Sequence, residues 1–154
     1  MTVATFLGLA IVSASRYIYA ILPLRCDMKK LRVLYFEDDH HDAKLAQHAM
    51  RRAGLDIDWL VVSEVDDYCS ALVRGGLDLI LSDNGILGFS GKAALEAART
   101  QCPQVPFIVV SGSDDPKVKA ATLNAGAADF ISKDYLTELA LAIRRIKSVA
   151  ARDC

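Results

Sequence analysis

LDLILSD, residues 77–83, is a short apolar run that ends in a carboxylate, and this pattern decides the fold. Three other apolar runs also end at a polar, reactive side chain: residues 31–36 before Glu37-Asp38-Asp39, 105–110 before Ser111, and 128–132 before Lys133. Short apolar runs of this kind are typical of buried strands. If they are parallel strands of one sheet, their carboxyl ends lie along a single edge, where open α/β sheets bind ligands.

Helical patterns alternate with the apolar runs along the chain. Strands are predicted over residues 31–36, 57–62, 77–82, 106–110 and 129–132, and helices over 40–52, 65–74, 91–101, 116–124 and 135–150. Five β-α units in succession imply a parallel sheet, because right-handed crossovers put helices on both of its faces. We therefore expect an α/β fold with a doubly wound, five-stranded parallel sheet.

The composition is that of one globular domain. The chain has 154 residues, enough for a single domain with a full core. Its net charge of -1 argues against nucleic acid as a partner. The four cysteines show neither C-x-x-C nor zinc spacing, so we expect reduced thiols that fill small apolar sites.

The amino-terminal segment is interpreted separately from the rest. Residues 2–24 are apolar apart from Arg16 and a few hydroxyls, and basic residues follow at Arg25, Lys29 and Lys30. The segment is long enough for a membrane anchor that would leave the remainder in the cytoplasm. A start-site artefact, with Met28 as the true start, and a packed extra helix are the alternatives. We divide the chain into an apolar extension, residues 1–27, and a domain, residues 28–154.

The side chains expected at the sheet edge suggest phosphoryl chemistry. Crowded carboxylates repel one another unless a divalent cation lies among them, and oxygen ligands without His or Cys favour magnesium (Mg2+). Asp83 is the candidate nucleophile, because carboxylates can form aspartyl phosphates. Lys133 and the Ser111 hydroxyl would hold the remaining phosphoryl oxygens.

Other polar residues near the first helix have simpler explanations. Asp39 directly precedes a helical run, so we expect it to cap that helix rather than bind a metal. His40, His41 and His48 could suggest a transition-metal site. Adjacent histidines point in different directions, however, and no third ligand has suitable spacing, so we expect no such site.

Four segments together resemble a response regulator receiver domain of two-component signalling. FEDD at 36–39 resembles the acid pair after the first strand, and DLILSDNGILGFSG at 78–91 resembles the phosphoacceptor segment. PFIVVSG at 106–112 and GAADFISKD at 126–134 resemble the segments that carry the family's hydroxyl and lysine. Their order and their position at strand ends are typical of the family, and the resemblance covers nearly all of the chain after Met28.

The resemblance implies a flavodoxin-like (βα)5 receiver fold and a role for each site residue. Asp83 would be the phosphoacceptor, assisted by Lys133 and Ser111. Ser111 and Phe130 would form the switch. The expected ligands of Mg2+ are Glu37, Asp38, Asp83 and the backbone carbonyl of Gly85.

The resemblance further implies a stand-alone signalling domain rather than an enzyme. A histidine kinase or histidine phosphotransfer protein would donate the phosphoryl group. The signal would pass to an unknown downstream protein through contacts or through phosphorelay. We expect a cytoplasmic protein, which touches a membrane only if residues 1–27 are a real anchor.

Two other function classes and two structural questions stay open. The same acids could serve a magnesium-dependent phosphohydrolase, or the fold could be an adaptor that binds its partner regardless of phosphorylation.

A dimer is also open, because the last helix carries Leu139, Leu141, Ile143 and Ile146. Asp134 replaces the family's usual proline, and a cis bond before a residue other than proline costs about 2.5 to 4 kcal/mol, so we expect a trans bond after Lys133.

Overall fold

The computed structural model describes residues 30–86 and 88–150, which form one sheet and its covering helices. The strands are β1 (Leu31–Phe36), β2 (Ile57–Val62), β3 (Leu79–Asp83), β4 (Phe107–Ser111) and β5 (Asp129–Ser132). The helices are α1 (His40–Arg52), α2 (Val65–Arg74), α3 (Gly91–Gln101), α4 (Pro116–Asn124) and α5 (Leu136–Ala150). The three interpretations of residues 1–27 concern a segment that lies outside these described residues.

The five strands are all parallel and lie in the order β2-β1-β3-β4-β5. The chain therefore winds outward in one direction from β1 to β2 and in the other from β3 to β5, which confirms the predicted doubly wound sheet. β2 is an edge strand and is only partly buried. Its exposed Asp58 is aligned with the exposed Arg32 of β1.

One face of the sheet packs against α1 and α5, and the other packs against α2, α3 and α4. On one face, Tyr35, Leu81 and Val110 lie in a cluster with Met50 of α1 and Ile143 of α5. On the other face the corresponding cluster joins strand residues to α2 and α3: Phe36, Val109 and Phe130 with Tyr68 and Leu95. Full burial of a large apolar side chain contributes about 1.5 to 3 kcal/mol, so the two clusters hold the sheet rigidly between its helices.

Two strands start and end later than their apolar residues indicate. β3 starts at Leu79 rather than Leu77 and continues through Asp83, and β4 starts at Phe107 and continues through Ser111. The polar residues belong to the strands because the ladder reaches them: Asp83 is aligned with Val110. Both side chains are thus fixed by backbone pairing and not by a loop.

The last helix differs from its prediction in its start and in its exposed surface. Lys133–Tyr135 form a 3-10 turn, and the α-helix begins at Leu136. Leu139 and Ile143 are fully buried and Ile146 is partly buried, so the expected apolar surface is reduced to Leu141 among those four.

Three further features concern a peptide bond, the cysteines and the hydropathy of the helices. The bond between Lys133 and Asp134 is trans, as predicted. Cys69 is exposed, so the expectation that the thiols fill apolar sites is wrong for this residue, while Cys102 is partly buried. None of the helices in the described part of the chain combines the length and the hydropathy that a bilayer crossing requires.

Candidate functional site

Two central strands carry the acids of the site to the carboxyl edge of the sheet. Asp83 is the last residue of β3, and Glu37 directly follows β1. The Glu37 N–H donates to the Val62 carbonyl at 3.0 Å, so the backbone pairing with β2 extends to Glu37. Because side chains alternate along a strand, Glu37 and Asp83 continue the face that Tyr35 and Leu81 present to α1 and α5.

Glu37, Asp38 and Asp83 form a compact group of carboxylates. Each offers one oxygen, and these oxygens all lie within 4.8 Å of one another. Glu37 and Asp83 are buried, whereas Asp38 is exposed and leaves the group open on one side. Within residues 30–86 and 88–150, no other group of three His, Cys or acidic side chains is arranged in this way.

Lys133 brings its ammonium group into contact with three carboxylates. Its Nζ lies 2.8 Å from Glu37 Oε2, 2.7 Å from Asp42 Oδ2 and 3.2 Å from Asp83 Oδ1. Asp42 and Glu37 accept hydrogen bonds from this ammonium group, and Asp83 interacts with it through its charge. The predicted convergence of Lys133 with Glu37 and Asp83 is therefore present in the structure.

Burial and neighbouring charges shift the acid–base properties of the cluster. Burial raises the pKa of Glu37 above its ordinary 4.5, although the hydrogen bonds from Lys133 and Asp39 oppose this. Burial lowers the pKa of Lys133, but the hydrogen bonds to Asp42 and Glu37 and the charge of Asp83 outweigh it and raise that pKa. Lys133 therefore stays protonated at neutral pH and compensates part of the acidic charge.

The donor set fits a hard divalent cation. The three ligand candidates offer only carboxylate oxygens, which is the chemistry that magnesium prefers. A carboxylate has about four lone-pair sites, and Glu37 uses three of them for Lys133, the Tyr35 hydroxyl and the Asp39 N–H. One site on Glu37 is left for a metal ion. One lysine also leaves the negative charges of the cluster in excess.

Ser111, Gly85 and Phe130 are the remaining predicted site residues, and each lies within two residues of the carboxyl end of a strand. Ser111 is buried at the end of β4, and its Oγ accepts a hydrogen bond from the Ser113 N–H at 3.1 Å. The Gly85 N–H donates to Asp83 Oδ2 at 3.1 Å, whereas metal binding by the Gly85 carbonyl stays a prediction. Phe130 is buried in the cluster with α2 and α3, on the face that Ser111 continues from Val109.

Sequence reasoning missed Asp42 and Tyr35. Asp42 lies in the first turn of α1 and contacts Lys133, a partner 91 positions away in the sequence. The Tyr35 hydroxyl donates to Glu37 Oε2 at 3.1 Å. Strand alternation was the available signal for Tyr35, since it lies two residues before Glu37. No comparable signal existed for Asp42, because its contact joins the first turn of α1 to the turn that follows β5.

The cap of α1 is confirmed. Asp39 Oδ1 accepts hydrogen bonds from the His41 N–H at 2.7 Å and from the Asp42 N–H at 3.3 Å. These bonds satisfy two of the N–H groups that the first turn of a helix leaves without a partner. They also fix the start of the helix beside the acid cluster.

Comparison with known proteins agrees with this geometry. A family model described as the response regulator receiver domain matches residues 33–144. The swarming motility regulation protein RssB of Serratia marcescens is 32% identical over 123 residues, which are 79% of this chain and 54% of RssB. The sensory transduction protein RegX3 of Mycolicibacterium smegmatis is 29% identical over 120 residues, 78% of this chain and 50% of RegX3. The chain thus spans about half the length of these curated relatives.

Solved structures share the fold. The receiver domain of the Francisella response regulator 1452 has a TM-score of 0.69 at 22% identity and covers 79% of this chain and 99% of its own. A CheY-like receiver domain protein from Methanospirillum hungatei has a TM-score of 0.69 at 20% identity, covering 82% and 100%. Because the family match over residues 33–144 includes well over half of the sequence, this chain belongs to the response regulator receiver domain family.

Proposed function

We propose that this chain is a phosphorylation-controlled signalling switch in which Asp83 accepts a phosphoryl group from a histidine kinase or a histidine phosphotransfer protein. The observation that carries the proposal is the convergence of Glu37, Asp38, Asp83 and Lys133 on one edge of the sheet. Membership of the receiver family supports the same reading.

The transfer step follows from the chemistry of these groups. An Asp83 carboxylate oxygen forms a bond to phosphorus, while the bond from phosphorus to the donor's imidazole nitrogen breaks and that nitrogen keeps the electron pair. Lys133 and the Ser111 hydroxyl donate hydrogen bonds to phosphoryl oxygens. Magnesium would be held by Glu37, Asp38, Asp83 and the Gly85 carbonyl, and would neutralise part of the phosphoryl charge.

The switch would follow from a movement of Ser111 toward the phosphoryl group. Ser111 and the buried Phe130 belong to the same face of the sheet, so the displaced hydroxyl would leave space into which the Phe130 ring can turn. Such repacking biases two arrangements of the elements around β5. The output would pass through protein contacts or through phosphorelay to another protein.

Labelling tests the proposal. The full chain is incubated with a small acyl phosphate and magnesium, and in parallel with a phosphorylated histidine phosphotransfer protein. We expect the wild type to be labelled and Asp83→Asn to remain unlabelled, and we expect a chelator to abolish the labelling. Equal labelling of both proteins would refute the assignment. Repeated turnover of a small phosphate ester would indicate a phosphohydrolase instead.

A further inference from the structure

Asp42 makes the shortest of the three contacts of Lys133 and lies outside the group of candidate metal ligands. The distance from Lys133 Nζ to Asp42 Oδ2 is 2.7 Å, against 2.8 Å to Glu37 Oε2 and 3.2 Å to Asp83 Oδ1. Glu37 and Asp83 belong to the acid group that fits a metal ion, and Asp42 does not. The lysine is therefore shared between two ligand candidates and one acid that is independent of them.

The surroundings of this ion pair favour a defined geometry. The Lys133 and Asp42 side chains are 19% and 32% exposed, so water screens the pair less than it would at an open surface. Leu45 and Leu136 flank the two side chains and enclose with them a small cavity of about 30 Å³. The pair thus lies on the side of the site that faces α1 and α5, which carry Leu45 and Leu136.

A helix-capping role does not account for the Asp42 carboxylate. In a capping box, the acid at the third helical position accepts the N–H of the capping residue. Here the Asp39 N–H donates instead to Glu37 Oε1 at 3.0 Å. The Asp42 side chain is directed to Lys133, 91 positions away in the sequence.

We propose that Asp42 is a positioning residue that keeps Lys133 in place when Glu37 and Asp83 turn to the metal ion and the phosphoryl group; this rests on the proposed function. Three carboxylates already surround the Lys133 amine with its three N–H donors, so binding a phosphoryl oxygen requires that one carboxylate contact is given up. With Asp42 as an anchor outside the ligand set, the amine yields its contact with Glu37 or Asp83 and keeps its position. Without Asp42, the amine would be held only by oxygens for which it competes with the cation.

Three variants of the full chain test this role. Asp42→Asn removes the anchor, Asp42→Glu keeps a carboxylate that can reach the amine, and Asp134→Asn removes one exposed acid beside Lys133. For each, calorimetry gives the magnesium concentration at half-saturation, and an acyl phosphate gives the labelling rate at saturating magnesium. Groups that orient metal ligands typically change affinity or activity by about 10-fold or more. We therefore expect Asp42→Asn to raise the half-saturating magnesium concentration and to lower the labelling rate, each about 10-fold. Asp42→Glu should recover most of this loss. Asp134→Asn should stay within about 2-fold of the wild type in both readouts.

The outcomes separate this inference from the proposed function. A wild type that is labelled at Asp83, together with an Asp42→Asn variant that matches Asp134→Asn in both readouts, overturns the positioning role alone. A wild type that neither binds magnesium nor is labelled overturns both proposals. A lower thermal unfolding midpoint with unchanged half-saturation would show a structural role only and would likewise refute the inference. If Asp42→Asn does not fold, Asp42→Ser replaces it in the same comparison.

Discussion

Lys133 is the residue on which the charge balance of the site depends. It is the cation that contacts Glu37, Asp42 and Asp83, and two of these acids are buried or nearly so. Its position could be predicted because it follows an apolar strand, as the acids do. Its pairing with Asp42 could not, because a contact between α1 and the turn after β5 leaves no periodic signal in either segment.

Replacing Lys133 with methionine should destabilise the fold when magnesium is absent. The variant keeps the apolar stem but leaves the buried Glu37 beside two other carboxylates without their cation. The loss of a partner for a buried charge costs about 2 to 3 kcal/mol of unfolding free energy. Urea denaturation in the presence of a chelator measures it.

Lys92→Met is the matched control for this experiment. Lys92 pairs with Glu96 at 3.9 Å, and both side chains are largely exposed. Exposed pairs of this kind contribute about 0.5 kcal/mol or less. Equal losses of unfolding free energy in Lys133→Met and Lys92→Met would contradict the structural role of Lys133.

The Asp39 cap should make a pH-dependent contribution to stability. The hydrogen bonds from the His41 and Asp42 N–H groups lower the pKa of Asp39 below its ordinary 3.8. The ionised cap therefore stabilises the fold above that ordinary value, and this stabilisation is lost as the pH falls through the lowered pKa. The difference in unfolding free energy between wild type and Asp39→Ala should be present at neutral pH and should shrink in acid.

Asp39→Asn provides the comparison, since asparagine caps helices without an ionisable group. The difference in unfolding free energy between Asp39→Asn and Asp39→Ala should not vary with pH. Titrating groups that do not interact with Asp39 are common to all three proteins and cancel in the differences. A wild-type advantage over Asp39→Ala that is unchanged in acid would contradict the assigned origin of the shift.

At the scale of elements, helix ends were predictable and strand ends less so. The bounds of α1, α2, α3 and α4 agree with the predicted ones, because a capping side chain, a glycine or a proline marks most of their ends. The ends of β3 and β4 were placed one residue early, because an apolar run stops where polarity begins and not where backbone pairing stops. The site residues Asp83 and Ser111 are therefore held more firmly than loop residues would be.

The start of α3 packs closely against Asn84, the residue that follows Asp83. A Cβ added at Gly91 would lie 2.6 Å from Asn84 Oδ1 and 3.2 Å from Asn84 Cα. Backbone cannot yield as a flexible side chain does, so Gly91→Ala should destabilise the protein by about 1 to 3 kcal/mol. Gly112→Ala is the control, because a Cβ there meets nothing within 4 Å, and we expect about 0.5 kcal/mol or less. Urea denaturation of the two variants decides, and similar costs for both would contradict the close approach.

At the scale of the whole molecule, the sheet brings side chains from four distant segments to one edge. The doubly wound parallel sheet and the helices on both of its faces follow from alternating apolar and helical patterns, and both were predicted. Which acid contacts which amine depends on side-chain packing at the edge, which patterns do not encode. The fold therefore explains why these side chains meet at one edge of the sheet. The contacts of Lys133 determine how their charges are balanced there.

Magnesium should stabilise the folded protein, because the acid cluster exists only in the folded state. Binding to the native state alone adds about 2.7 kcal/mol of unfolding free energy when the ligand is at 100 times its dissociation constant. Asp38→Asn should abolish this gain at little cost in a chelator, since Asp38 is exposed. Asp66→Asn, an exposed acid on α2, should keep it. Thermal unfolding with and without magnesium provides the measurement, and an equal gain in both variants would contradict the assigned ligand.

Identifying the phosphorylated residue tests most directly whether Asp83 is the phosphoacceptor. The full chain is treated with an acyl phosphate and magnesium, reduced with borohydride, which converts an aspartyl phosphate to homoserine, and analysed by peptide mass spectrometry. We expect reduction at Asp83 and nowhere else. Reduction at another carboxylate, such as Asp38, or the absence of a reduced residue in a folded, magnesium-bound protein, would contradict it.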